Sequence, residues 1–133
     1  MRLTMLGLIS GLFMMGALLT SCGGGGGGTA EAALAVTITP NNGSTQAASP
    51  GPFTCTVQVT STMPPKGVTI TVTAEVDGTS TAYYTSSVNN SQVTNTFNIT
   101  NTPTLQTCVV NVSVVSNTKS TNTWTGSYRY SAK

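Results

Sequence analysis

Histidine is missing from this 133-residue chain altogether. Its absence excludes a Ser-His-acid triad, a Cys-His nucleophile pair and imidazole metal ligation together. Charge is nearly as scarce. The basic residues are Arg2, Lys66, Lys119, Arg129 and Lys133, and the acidic ones are Glu31, Glu75 and Asp77. So sparse a balance leaves no electrostatic footprint for nucleic acid or for an anionic membrane surface. Cysteine is limited to Cys22, Cys55 and Cys108, and three thiols without short spacing or histidine do not compose a zinc site. Helical periodicity is absent beyond Ala35. The expectation is a protein that is not an enzyme, with no metal, no diffusible cofactor and no nucleic-acid partner.

What is present begins with an apolar run. Leu3 to Leu19 is interrupted only by small or hydroxyl residues and is preceded by Arg2, the charged-then-apolar layout of an export signal. Its 17 residues sit at the lower edge for a membrane span. Thr20-Ser21 supplies a small-residue cleavage site, and Cys22 follows directly. Leu19-Thr20-Ser21-Cys22 resembles the lipobox of bacterial lipoproteins. The resemblance covers the first 22 residues and implies that Cys22 becomes the mature N-terminus and carries a diacylglyceryl thioether, often with a further acyl chain on its amine. The covalent lipid would hold the protein to a membrane, at about 0.8 kcal/mol per buried CH₂. Glycine at position 23, where an aspartate would signal retention, resembles the outer-membrane address of the enteric members. The competing expectation is an ordinary secretory signal with an incidental cysteine, which leaves an odd thiol in an oxidising compartment.

Gly23 to Gly28 then has no side chain to pack and wide backbone freedom. Counted through Ala33, these 11 residues form a tether with a reach of roughly 20 Å. A phosphate-cradling loop would need a strand before it and a helix with Lys or Ser/Thr after it, and neither is present. The chain therefore divides into a signal peptide at 1–21, a lipidated cysteine and tether at 22–33, and one domain at 34–133.

That domain alternates apolar residues with Thr, Ser and Asn at period two, the signature of strands with one buried face. Leu34, Val36 and Ile38 mark the first strand, and Phe53, Cys55, Val57 and Val59 the second. Val68, Ile70, Val72, Ala74 and Val76 mark the third. Asp77-Gly78 is a hairpin signal leading to a short fourth strand near Ala82 to Thr85. Val93, Phe97 and Ile99 share a face of the fifth, Cys108, Val110, Val112 and Val114 of the sixth, and Trp124, Tyr128 and Tyr130 of the seventh. Seven strands separated by turn residues predict a single all-β antiparallel sandwich.

Cys55 and Cys108 fall on the inward parity of strands two and six, 53 residues apart. Those strands and that spacing resemble the pair that immunoglobulin-like domains join across their sheets. The resemblance implies an inter-sheet disulfide Cys55–Cys108, worth roughly 4 kcal/mol by the loop-closure model, and leaves Cys22 as the odd thiol. The sequence departs from the family pattern at two points: the third strand has no tryptophan, and residue 106 is glutamine where a tyrosine corner would stand. Trp124 is the expected substitute over the disulfide.

Two constellations are candidate sites. Trp124, Tyr128, Tyr130, Tyr83 and Tyr84 are the candidate ligand-binding residues, an aromatic platform for a glycan or protein ligand. One ring of Tyr83-Tyr84 is expected to point outward, since strand neighbours face opposite ways. Glu75 and Asp77 share the polar face of the third strand, and paired carboxylates can run glycoside hydrolysis or hold calcium. A solvated face ending in a turn is the plainer expectation for them. Four Asn-X-Ser/Thr sequons, at Asn42, Asn89, Asn98 and Asn111, follow from an Asn-, Ser- and Thr-rich composition. The leading functional expectation is an envelope-anchored binding, adhesion or structural module. The alternatives are an assembly or chaperone-like accessory that lends a sheet edge to a secreted partner and, remotely, a carboxylate-dependent glycosidase.

Overall fold

A computed structural model describes residues 30–133. The signal segment, Cys22 and the glycine run lie outside the described residues. Among those described there are seven strands and no helix: β1 (Val36–Thr39), β2 (Phe53–Val59), β3 (Val68–Val76), β4 (Ala82–Asn90), β5 (Thr94–Ile99), β6 (Thr107–Ser116) and β7 (Thr123–Ser131). They form two antiparallel sheets, one ordered β1-β2-β5 and the other β4-β3-β6-β7.

The period-two pattern explains which face each sheet buries. On β3, Val68, Ile70, Val72 and Ala74 are fully buried while Thr69, Thr71 and Thr73 lie on the opposite face. On β6, Cys108, Val110, Val112 and Val114 do the same, and on β2 so do Cys55, Val57 and Val59. The inward residues of both sheets join in one core. Phe53 and Tyr130, one from each sheet, pack with ring centroids 4.7 Å apart and planes tilted by 54°. Full burial of a Val or Ile side chain contributes about 1.5–3 kcal/mol, so this sandwich rests chiefly on small β-branched residues.

Turns follow local chemistry. Asp77-Gly78 makes the expected hairpin: Gly78 has φ +85°, and Thr79 N–H donates to the Val76 carbonyl at 2.9 Å. Gly67, at φ +76°, closes the β2–β3 connection with its N–H on the Pro64 carbonyl at 2.8 Å. A Cβ there would collide with the Asn90 carbonyl.

Four expectations need correction. The fourth strand is not short; it runs to Asn90, because Val68 to Val72 of β3 continue to offer it a regular ladder. Val93 is 51% exposed and precedes β5. The first inward position of β5 belongs instead to Asn95, which is buried and tied to Asn90 at 2.8 Å and to the Gln92 carbonyl at 3.2 Å. Glu31 and Ala32, counted with the tether, are clamped to the body by Asn122. Its amide nitrogen donates to Glu31 Oε1 at 2.6 Å and to the Ala32 carbonyl at 2.8 Å, while its Oδ1 accepts from Leu34 N–H at 2.9 Å.

The fourth correction concerns Cys55 and Cys108. Both are fully buried on facing sheets, but both are free thiols. Each sulfur is engaged separately: Cys55 lies against the Tyr128 hydroxyl, and Cys108 donates to the Gln106 carbonyl at 3.8 Å. The expected disulfide is not formed.

Candidate functional site

The aromatic residues do not build an external platform. Tyr128 and Tyr130 are 3% and 2% exposed and belong to the core. Tyr130 O–H meets the Tyr83 hydroxyl at 2.5 Å and the Thr102 hydroxyl at 2.7 Å, so three polar groups at the end of the sandwich satisfy one another. Tyr83 and Tyr84 both pack against the core, contrary to the expectation that one ring points out. The reason is a β-bulge. Ala74 pairs with Tyr84 but Glu75 pairs with Ala82, so Tyr83 is the extra residue and the alternation slips by one.

Trp124 is half-buried at the far end of β7, where it pairs with Val114, while Cys108 pairs with Tyr130. Six residues of strand separate those positions, about 20 Å, so the indole does not cover the cysteines. It lies instead over Gly126, where a Cβ would strike the ring. The neighbourhood of the thiols is filled by tyrosines. Burial pushes the Cys55 thiol from 9.0 up to about 11, against a smaller opposing effect of the Tyr128 hydrogen bond. Burial likewise raises Tyr128, Tyr130 and Tyr83, with Cys55 beside Tyr128 and Cys108 beside Tyr83 adding to the effect. Cys55 and the three phenols are therefore neutral at ordinary pH. Tyr128 also borders a cleft of about 390 Å³ with Phe53, Pro40 and Gln46.

The two carboxylates engage different partners. Asp77 forms an ion pair with Arg129 at 3.0 Å, and Glu75 Oε1 accepts from the Asn111 amide at 3.4 Å. Among the described residues no three His, Cys, Asp or Glu side chains converge on a point.

What the structure assembles, and the aromatic-centred reading missed, is the outer face of the four-stranded sheet. Register places Ser87, Thr71, Ser113 and Thr125 in one row across β4, β3, β6 and β7. Thr85, Thr73, Asn111 and Ser127 form the next row. Every member carries a hydroxyl or an amide and none carries charge. Rows repeat about every 6.7 Å along the strands and columns about every 4.8 Å across them. A groove of about 580 Å³ runs over β3, β6 and β7 on this grid, bounded by Asn42. The outward polar parity of β3 and β7 was visible in the sequence. Which strands lie side by side was not, and adjacency makes the grid.

The edges of this sheet differ. Beside β7 runs the segment 43–49, in parallel: Gly43 N–H donates to Ser127, Gln46 N–H to Arg129 and Ser49 N–H to Ser131, at 2.7, 2.8 and 3.1 Å. Arg129 N–H returns a bond to Ser44 at 2.8 Å. Beside β4 there is no such cover among the described residues.

No protein-family model matches this chain, and neither a curated protein nor a solved structure is significantly similar to it.

Proposed function

We propose that this protein is a bacterial envelope lipoprotein, lipidated at Cys22 and addressed to the outer membrane, that carries an immunoglobulin-like sandwich as a binding or adhesion module. The lipobox residues Leu19-Thr20-Ser21-Cys22 support the anchor. The strand order supports the immunoglobulin-like type, since β2 and β6 lie in opposite sheets with their cysteines inward, although without a disulfide between them.

The observation that carries the functional half is the uncharged hydroxyl and amide grid over β3, β6 and β7. Side chains that both donate and accept, in two rows with no charged member, suit a neutral hydroxyl-rich ligand such as a glycan. The anchor is tested by fractionating cells that express Cys22→Ala: the variant is expected in the soluble envelope fraction, and retention on membranes overturns the anchor. The ligand class is tested on a glycan array, where Thr71→Lys with Ser113→Lys should abolish a signal that the unmodified chain gives.

The uncovered β4 favours a second mode of action, strand addition at a sheet edge. Nine residues without charge or proline are available there.

A further inference from the structure

Of the edges in the two sheets, β1 has four residues, β5 has six, and β7 is covered by the 43–49 segment. Folded proteins blunt sheet edges by shortness, cover, lysine, proline or bulges. β4 has nine residues, no lysine and no proline. Its one protective device is the bulge at Tyr83, which leaves Tyr84 to Asn90 in unbroken register with Ala74 to Val68. Alternate N–H and C=O groups along that stretch point away from β3 and form the template for another strand.

The residues on β4 say which strand fits. Antiparallel pairing keeps side chains on matching faces only when paired positions have the same parity. Centred on Ser86, β4 is its own complement: Tyr84 stands against Val88, Thr85 against Ser87, and each pair occurs twice. Aromatic with β-branched and hydroxyl with hydroxyl are favourable cross-strand partners. Tyr84 and Val88 are each half-buried against the core, with the remainder of their surface free. Across a twofold axis a strand of one net charge meets the same net charge, and β4 has none to repel. By the same token it has no charge with which to select a foreign strand.

We infer that β4 pairs antiparallel with β4 of a second copy of this chain, about a twofold axis at Ser86, joining two four-stranded sheets into one of eight. This inference rests on the strand-addition reading and is independent of the lipid anchor. In the dimer the two hydroxyl grids become one continuous surface.

The test uses the full chain with Ser86→Cys, in whichever cell fraction holds it, oxidised by copper phenanthroline and run without reductant. A species of twice the mass that collapses on reduction is expected, with Thr125→Cys on the same sheet staying monomeric. Adding Thr85→Lys and Ser87→Lys, which face each other across the axis, should cut the yield at least tenfold. A reducible adduct with a different protein would overturn the second copy and leave strand addition standing. Complete maleimide labelling of the thiol introduced at position 86, with no adduct at all, would overturn both.

Discussion

Leu105 shows how a single residue can be at odds with its place. It sits in the β5–β6 connection at φ +60° and is 89% exposed. An L-residue in the left-handed region costs about 1–2 kcal/mol, and so exposed a side chain recovers little of that by burial. Leu105→Gly is therefore expected to stabilise the fold by about 0.5–1 kcal/mol, the strain relief less the greater backbone entropy of glycine. A thermal melt should show a rise of a few degrees, and a lower midpoint would refute the argument.

The buried thiol and phenols make a second prediction at this scale. Cys55 titrates near 11 in the folded protein against 9.0 ordinarily, and Tyr128, Tyr130 and Tyr83 are raised as well. Above pH 9 the unfolded chain releases protons that the folded one retains, so the unfolded state gains with pH. The contribution of Cys55 is intact below pH 9 and is lost as pH rises towards 11, with the tyrosines adding above pH 10. Melting temperature should fall progressively over that range. A flat profile would mean the thiol and phenols are not shielded as described.

At the scale of elements, strands were legible because period two is a strong signal when valine and threonine alternate so regularly. The bounds read for β3 match the structure to the residue. Failures fell where something non-local intervened. The bulge at Tyr83 sends two neighbouring tyrosines against the same core, and simple alternation cannot foresee a bulge. Asn95 displaces Val93 from the start of β5 because Asn90, at the end of β4, is there to receive it. The segment 43–49, which carries no alternation of its own, is recruited by the free edge of β7.

Asn122 is the corresponding clamp at the other end of β7. It makes three hydrogen bonds to residues 31–34, each between 2.6 and 2.9 Å. Asn122→Ala should release that segment without unfolding the sandwich, at a cost of about 1–3 kcal/mol for bonds of this kind. Limited proteolysis should then cut near Ala33 several-fold faster, while the melting temperature moves only modestly. Equal cleavage rates would show that the segment is held by something else.

For the whole molecule, the decisive asymmetry is between a covered edge and an open one. Gln46 N–H donates to the Arg129 carbonyl at 2.8 Å and is central to the cover on β7. Gln46→Pro removes that donor and should loosen the segment, exposing a second edge. Concentration-dependent light scattering is the expected outcome, because an unprotected edge templates further strands. If scattering is unchanged, the 43–49 segment is not what protects β7.

The sequence by itself determined the all-β class, the number of strands, the inward set of most of them and the scarcity of ionisable side chains, since all of these follow from local alternation and composition. It also carries the lipobox resemblance, which lies outside the described residues. Only the tertiary structure decided that the candidate aromatic residues are core or packed on it, that Cys55 and Cys108 stay as separate thiols, and that threonines from β3 share a groove with β6 and β7. Those outcomes depend on which strands become neighbours and in what register. That choice is made by packing two complete sheets together, and no single strand encodes it.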